Sequence, residues 1–191
     1  LNYAECIQKD GAPQLKAEQL DLFLSFGERL SVALFTIAAS EYMPVAAAKI
    51  IRTDACHGMA APDIRAIEQS VQEHIAPVIC GGKKIITEGF VGSSPKGAIT
   101  TLGFEGSDLT AALLANALEA ERVDIWTDVA GVYTSDPHIV PNSQLLKTLS
   151  YGQMSLMASL GGKVLHERTL EPLCAKKIPL TVRSSLSSQQ P

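Results

Sequence analysis

The sequence predicts an α/β domain whose mainly parallel sheet is covered by helices on both faces, and three observations carry that reading. Strand-like and helix-like segments alternate along the chain. An almost wholly apolar helical run, TAALLANALEA, leads directly into the short strand 123–126, as a buried crossover helix does. A second helix, running through Lys176, leads into the strand 178–183. Residues 100–141 organise the rest. Gly103 and Gly106 free the backbone before a helix that begins near Ser107 and Asp108, and Thr127 to Gly131 follow the strand at its carboxyl end. A helix start offers unpaired N–H groups and partial positive charge. Ligands of open α/β sheets sit beyond the carboxyl ends of strands. Both ends of this stretch therefore suit one anionic ligand.

Composition bounds the function. The 191 residues suffice for one α/β domain with a sizeable core, or for a large domain lacking its ends. Apolar residues make up 46% and charged residues 19%, as in ordinary globular proteins. A net charge of −4 with no basic stripe argues against nucleic acid as a partner. No apolar run approaches the roughly 20 residues that span a bilayer, and no signal peptide opens the chain. Cys6, Cys56, Cys80 and Cys174 form no CxxC pair, which suits a reducing cytoplasm with each thiol buried as a small apolar residue. The first residue is Leu1 rather than Met, as in a fragment or a processed form.

In chain order, residues 1–16 are polar and broken by Gly11-Ala12-Pro13. From 19 to 42 apolar residues recur at helical spacing, with Leu30, Ala33, Leu34, Ile37 and Ala38 on one face. Gly27 interrupts that helix at a cost of about 1 kcal/mol against Ala, which points to a packing or ligand reason. Taken alone, Glu28 and Arg29 read as a solvated pair. Short extended pieces are expected at Pro44-Val45 and Ile50-Ile51. Pro62-Asp63 starts a helix with Pro in its first turn, facing Ile64, Ile67, Val71 and Ile75 to the core, and Gly81-Gly82 ends that segment. Residues 84–90 read as a buried strand, and Ser94-Pro95-Lys96-Gly97 as the turn of a β-hairpin. Ser150 opens a helix that ends near Gly161-Gly162, and residues 186–191 read as a linker.

Chemistry narrows the field. Ser107 lacks a GxSxG elbow and placed His/Asp partners, so nucleophilic catalysis has no support. His57, His74, His138 and His166 are isolated, which leaves no set of side chains for a metal. Phosphoryl transfer fits better, because it asks mainly for positioning, positive charge and N–H donors. The glycine loops 89–92 and 103–106, the helix start at Ser107 and Lys163 after Gly161-Gly162 supply such parts. No P-loop and no protein-kinase motif set is present. The spacing by itself gives a nucleotide- or anion-binding α/β domain, and a plain turn is the bland account of each glycine loop.

The motifs SFGERLS, IIRTD, TEGFVG, TTLGFEGSD, WTDVAGVYTSDP, LSYGQM, LGGKVLH and IPLTVRSS occur in this order. Over residues 24–185 the chain resembles the catalytic domain of the aspartate kinases, in the amino-acid kinase superfamily. The resemblance implies a three-layer αβα sandwich of the carbamate kinase-like type around a mainly parallel sheet. It also implies ATP-dependent phosphorylation of the β-carboxylate of L-aspartate, the first step towards lysine, threonine and methionine. Residue by residue, Glu28 would bind the substrate amino group. Ser107 and Asp108 would lie at the phosphoryl-transfer site, with Asp108 as the catalytic organiser. Thr127, Asp128, Tyr133, Lys163 and Val164 would contact ATP. Mg²⁺ is implied with the nucleotide, bridging phosphate oxygens and needing few protein ligands. A cytoplasmic homo-oligomer is implied for the full-length protein.

Three departures from the family pattern stand out. The family opens with a strand and a KFGG motif whose lysine stabilises the transferred phosphate; these 191 residues do not contain it, so residues 1–185 are expected to be an N-terminally incomplete catalytic domain, followed by the linker. Stabilisation of that kind is worth roughly a hundredfold or more in rate, and the chain alone is expected to be inactive. The family loop GRGGSD reads GFEGSD here, so Phe104 stands in place of an arginine that would fork onto the substrate carboxylate, and Glu105 adds a repelling charge. His138 occupies the position of an ATP-contacting arginine. Regulatory ACT domains, which the family commonly carries, are expected to lie outside these residues. The alternative to the enzyme is a non-catalytic nucleotide-binding or regulatory remnant of the same fold.

Overall fold

The computed structural model describes residues 16–135, 139–160 and 165–186, which divide into two units, residues 1–110 and 111–191. In the first unit the order is α1 (Ala17–Ala38), β1 (Tyr42–Pro44), α2 (Ala47–Ile50), α3 (Ile64–His74), α4 (Ala76–Cys80), β2 (Lys84–Ile86), β3 (Val91–Ser93) and β4 (Ile99–Thr101). Helix α5 (Gly106–Leu118) follows, and the second unit continues with β5 (Val123–Thr127), α6 (Tyr151–Ser159), α7 (Glu167–Lys176) and β6 (Leu180–Ser184).

In the first unit β1 and β2 pair in parallel, with Tyr42 beside Lys84 and Pro44 beside Ile86. The expected hairpin forms: β3 and β4 are antiparallel, with Val91 beside Thr101, and the Gly97 amide donates to the Ser94 carbonyl in the turn. Of the strand expected over 84–90 only three residues pair, because the chain turns at Glu88 and Gly89 towards β3. Ile50 closes a single helical turn instead of an extended piece. It is fully buried, as is Ile51, so the apolar pair still serves the core. Helix α3 begins at Ile64, two residues after Pro62, which bridges Thr53 instead of sitting in the first turn. Asp63 is its N-cap and accepts from the Ala66 amide at 3.1 Å, which supplies a partner for one otherwise free donor. Ile67, Val71 and Ile75 are buried as expected, while Ile64 is 40% exposed.

Helix α1 reverses the sequence expectation. Leu30, Ala33, Leu34, Ile37 and Ala38 are all exposed, Ile37 by 80%. The inward stripe runs through Asp21, Ser25, Glu28, Val32 and Thr36, at spacings of three and four. It packs against β1 and β4, where strand hydroxyls such as Thr101 face it, so hydrogen-bonding side chains do what an apolar stripe would do against Leu or Val. Gly27 has open space around a notional Cβ, so packing does not account for it.

In the second unit β5 and β6 pair in parallel, from Val123 beside Leu180 to Thr127 beside Ser184. One face supplies Val123 and Ile125 to a core with Ala112, Met154, Leu170 and Leu173. The other carries Asp124, held by Arg122 at 3.2 Å and Arg183 at 3.3 Å, and the exposed Trp126 beneath the Arg183 guanidinium. Ser150 caps α6 in a reciprocal pair with Gln153. Cys56, Cys80 and Cys174 are exposed thiols, contrary to the expectation that each is buried, and Cys6 lies outside the described residues. Among the described residues no helix is long and apolar enough to cross a membrane.

Candidate active site

The first unit gathers three of the expected residues around the turn at Glu88-Gly89-Phe90. Glu88 is nearly fully buried, and its carboxylate accepts from the Ala47 amide at 2.6 Å. Gly89 allows a close approach: a Cβ there would lie 2.7 Å from Ser107 Oγ and 3.0 Å from Ser107 Cα. Phe90 holds a positive φ of 67°, and its amide donates to Thr110 Oγ1 at 3.0 Å. Thr110 in turn donates to the Gly106 carbonyl at 2.8 Å. The turn is thus fastened to the first turn of α5.

Ser107 and Asp108 occupy that first turn, where helix amides have no intrahelical partner and the dipole presents its positive end. The loop before it depends on Gly103, whose φ of +83° is a conformation that side chains other than glycine rarely adopt. Its carbonyl accepts from the Gly106 amide at 3.0 Å. Phe104 stands at the loop tip, 80% exposed. Glu105 has a positive φ of 55°, and its Oε2 is buried with no hydrogen-bond partner among the described residues. Burial, and then the Glu105 carboxylate, raise the pKa of Asp108 above the ordinary aspartate range. Burial, and then Glu88, likewise raise Glu28. Glu28 therefore belongs to this neighbourhood and is not the solvated partner of Arg29; the Arg29 guanidinium lies over Phe26 instead.

The second unit carries the residues expected at the nucleotide. Thr127 ends β5 at its carboxyl end, and its hydroxyl donates to Asp128 Oδ1 at 3.1 Å. The Ser185 amide and hydroxyl both donate to the Thr127 carbonyl, fixing this strand end. Tyr133 lies in the loop after β5, at an isolated antiparallel bridge. It bridges Leu145, while the Leu146 amide donates to the Val132 carbonyl at 2.8 Å. His138, Lys163 and Val164 lie outside the described residues. Among the described residues no group of three or more His, Cys, Asp or Glu side chains gathers to hold a metal ion.

Sequence reasoning passed over Glu88 and Thr110, which anchor the turn. Glu88 sits inside the TEGFVG motif, where a carboxylate beside a glycine in a strand-to-loop step is a readable signal. Thr110 carries no signal beyond its place one turn into an apolar helix. Asp21 was also passed over; it is fully buried on the inward stripe of α1.

Comparison with known proteins gives a concordant result. The chain matches the amino acid kinase family over residues 2–184. It is 43% identical to lysine-sensitive aspartokinase 3 of Escherichia coli over 86% of this chain and 37% of that protein. It is 39% identical to aspartokinase 2 of Bacillus subtilis over 92% of this chain and 43% of that one. The crystal structure of E. coli aspartokinase III in complex with aspartate and ADP superposes with a TM-score of 0.88 at 38% identity, covering 96% of this chain and 42% of that one. The chain therefore spans about two fifths of the length of these relatives. Its mixture of helices and parallel-paired strands is that of the αβα amino-acid kinase fold. With the motif order, the strand pairing and the family match in agreement, the chain belongs to the amino acid kinase family.

Proposed function

We propose that this chain is the catalytic domain of an aspartate kinase, transferring the γ-phosphoryl group of ATP to the β-carboxylate of L-aspartate. The observation that carries the reading is the superposition on aspartokinase III in its complex with aspartate and ADP. In this reaction a carboxylate oxygen attacks the γ-phosphorus, the bond to the β,γ-bridging oxygen breaks, and ADP leaves. Such transfer needs alignment and donors for phosphate charge rather than covalent help from the protein.

The acceptor residues fit the task. Glu28 offers a carboxylate to the substrate ammonium, and the amides at the start of α5 face developing negative charge. Ser107 offers a hydroxyl there, and Asp108 orients groups around the transferring phosphoryl. Thr127, Asp128 and Tyr133 are proposed to contact ATP, with Lys163 and Val164 completing its binding and His138 in a weaker, pH-sensitive role. Mg²⁺ suits this set only as an ion carried largely on the phosphate oxygens with its own waters, since no protein cluster gathers to hold it among the described residues. When bound it would neutralise phosphate charge. We infer further that the full-length protein is a cytoplasmic homo-oligomer acting at the first step towards lysine, threonine and methionine.

The test is trapping of the acyl phosphate with hydroxylamine, using ATP and L-aspartate, on the full-length protein that contains this domain. Aspartate-dependent hydroxamate supports the proposal. ATP binding without hydroxamate refutes it.

A further inference from the structure

Asp21 is an unusual residue for the inside of a helix: a short carboxylate that competes with backbone bonding, placed on the buried stripe. Its two oxygens are fully used. Oδ1 accepts from the Thr101 hydroxyl at 2.6 Å and Oδ2 contacts His57 Nδ1 at 2.7 Å, while the Gly58 amide donates to both at 3.1 Å. A buried charge with one partner removed is left uncompensated, so such a cluster holds its members to one arrangement.

What it holds is the point. On the helix side, Ser25 and Glu28 follow Asp21 at i+4 and i+7, so Glu28 stands two turns along the same face. That is about 10 Å at the helical rise. On the other side, Thr101 ends β4 two residues before Gly103. The Gly58 carbonyl would lie 3.2 Å from a Cβ on Gly103, and the Ala60 amide donates to the Thr101 carbonyl at 2.8 Å. The segment 57–60 is therefore pressed between the carboxylate and the root of the loop that leads to Ser107 and Asp108. We propose that Asp21 is a positioning residue for the phosphoryl acceptor, setting, through His57-Gly58 and Thr101, the span between Glu28 and the loop 103–107. This rests on the kinase reading above only for the identity of the acceptor.

The experiment uses the full-length protein with four variants: Asp21→Asn, Thr101→Val, Thr101→Ser and, as a core control of comparable melting loss, Val71→Ala. Asp21→Asn and Thr101→Val raise the KM for aspartate about tenfold, as loss of a hydrogen bond to a buried charge implies. The KM for ATP stays within about twofold, the mark of a local effect on one substrate. Thr101→Ser, which keeps the hydroxyl, stays near the parent, and Val71→Ala melts earlier with an unchanged KM for aspartate. Equal shifts in both KM values, or the same rise in Val71→Ala, would overturn the proposal. Should the parent show no aspartate kinase activity, the kinase reading fails and amide hydrogen exchange decides the positioning claim. Faster exchange over residues 103–107 in Asp21→Asn but not in Val71→Ala supports it, and unchanged exchange there overturns it.

Discussion

Gly89→Ala probes the seat of the acceptor loop most directly. The added methyl would sit 2.8 Å from Ser107 Cβ and 3.0 Å from Ser107 Cα, where ordinary contacts begin near 3.4 Å. Restoring contact requires Ser107 to retreat by roughly half an ångström, and its Cα belongs to the first turn of α5, so rotamer change alone cannot absorb the clash. Overpacking of this kind costs about 1–3 kcal/mol, and, on the proposed function, a shift of this size lowers kcat/KM about tenfold or more. The assay is hydroxamate formation across aspartate concentrations, together with a urea melt, on the full-length protein. Gly152→Ala is the control: its notional Cβ meets nothing within 4 Å in a helix, so it should keep activity and gain about 0.5–1 kcal/mol. Adding Ser107→Gly to Gly89→Ala removes the Oγ and Cβ clashes and should recover part of the stability but not the activity. If Gly89→Ala melts and turns over like the parent, Ser107 is not seated against this turn and the site geometry described here is wrong.

Three further outcomes are expected. Leu173→Ala, at a fully buried position in the core of the second unit, should cost about 2–5 kcal/mol in urea melts; a loss under about 1 kcal/mol would contradict the packing. Asp63→Ala removes the cap of α3 and should cost about 1 kcal/mol, with Asp63→Asn retaining most of the stability. The third concerns pH. Asp108 has a raised pKa in the fold, so the folded state holds its proton at a pH where the unfolded chain has released it. The stability contributed by this group is therefore full below the ordinary aspartate range and declines as pH rises through the raised value. Burial is the larger cause and Glu105 the second, so Glu105→Gln should bring Asp108 partway down and shrink the decline. A carboxyl NMR titration reads this; an Asp108 that titrates at or below the ordinary range would refute it.

Legibility from sequence followed the range of the forces involved. The hairpin turn at Ser94 to Gly97, the strand over 123–126 and the helix starts near Asp63 and Ser150 rest on local chemistry, and these were readable. Helix α1 was readable as a helix but not in its orientation. Which stripe turns inward depends on the hydroxyls of β4, 80 residues away, and periodicity alone points to the apolar side. The exposed cysteines fall under the same limit, since a thiol's burial is set by tertiary neighbours that spacing does not reveal. At the candidate site, the helix start at Ser107 and Asp108 was legible from glycine placement, while their roles come from the resemblance alone. Glu88 and Thr110 were not, because their role is to bond backbone groups that sequence does not show coming together.

The reach of the Asp21–Thr101 hydrogen bond also has a consequence for biosynthesis. The two partners are 80 residues apart, and the hydroxyl leaves the ribosome long after the carboxylate does. At roughly 5–20 residues per second, α1 waits on the order of 4–16 s before β4 exists to receive its polar stripe. During that interval the Asp21 carboxylate lacks its Thr101 hydroxyl and Phe26, Leu30, Leu34 and Ile37 are exposed, although β1, with Tyr42 against Phe35, already exists. A nascent helix in that condition should recruit chaperones that bind apolar segments on the ribosome. Slowing translation before residue 101 should lengthen its retention there.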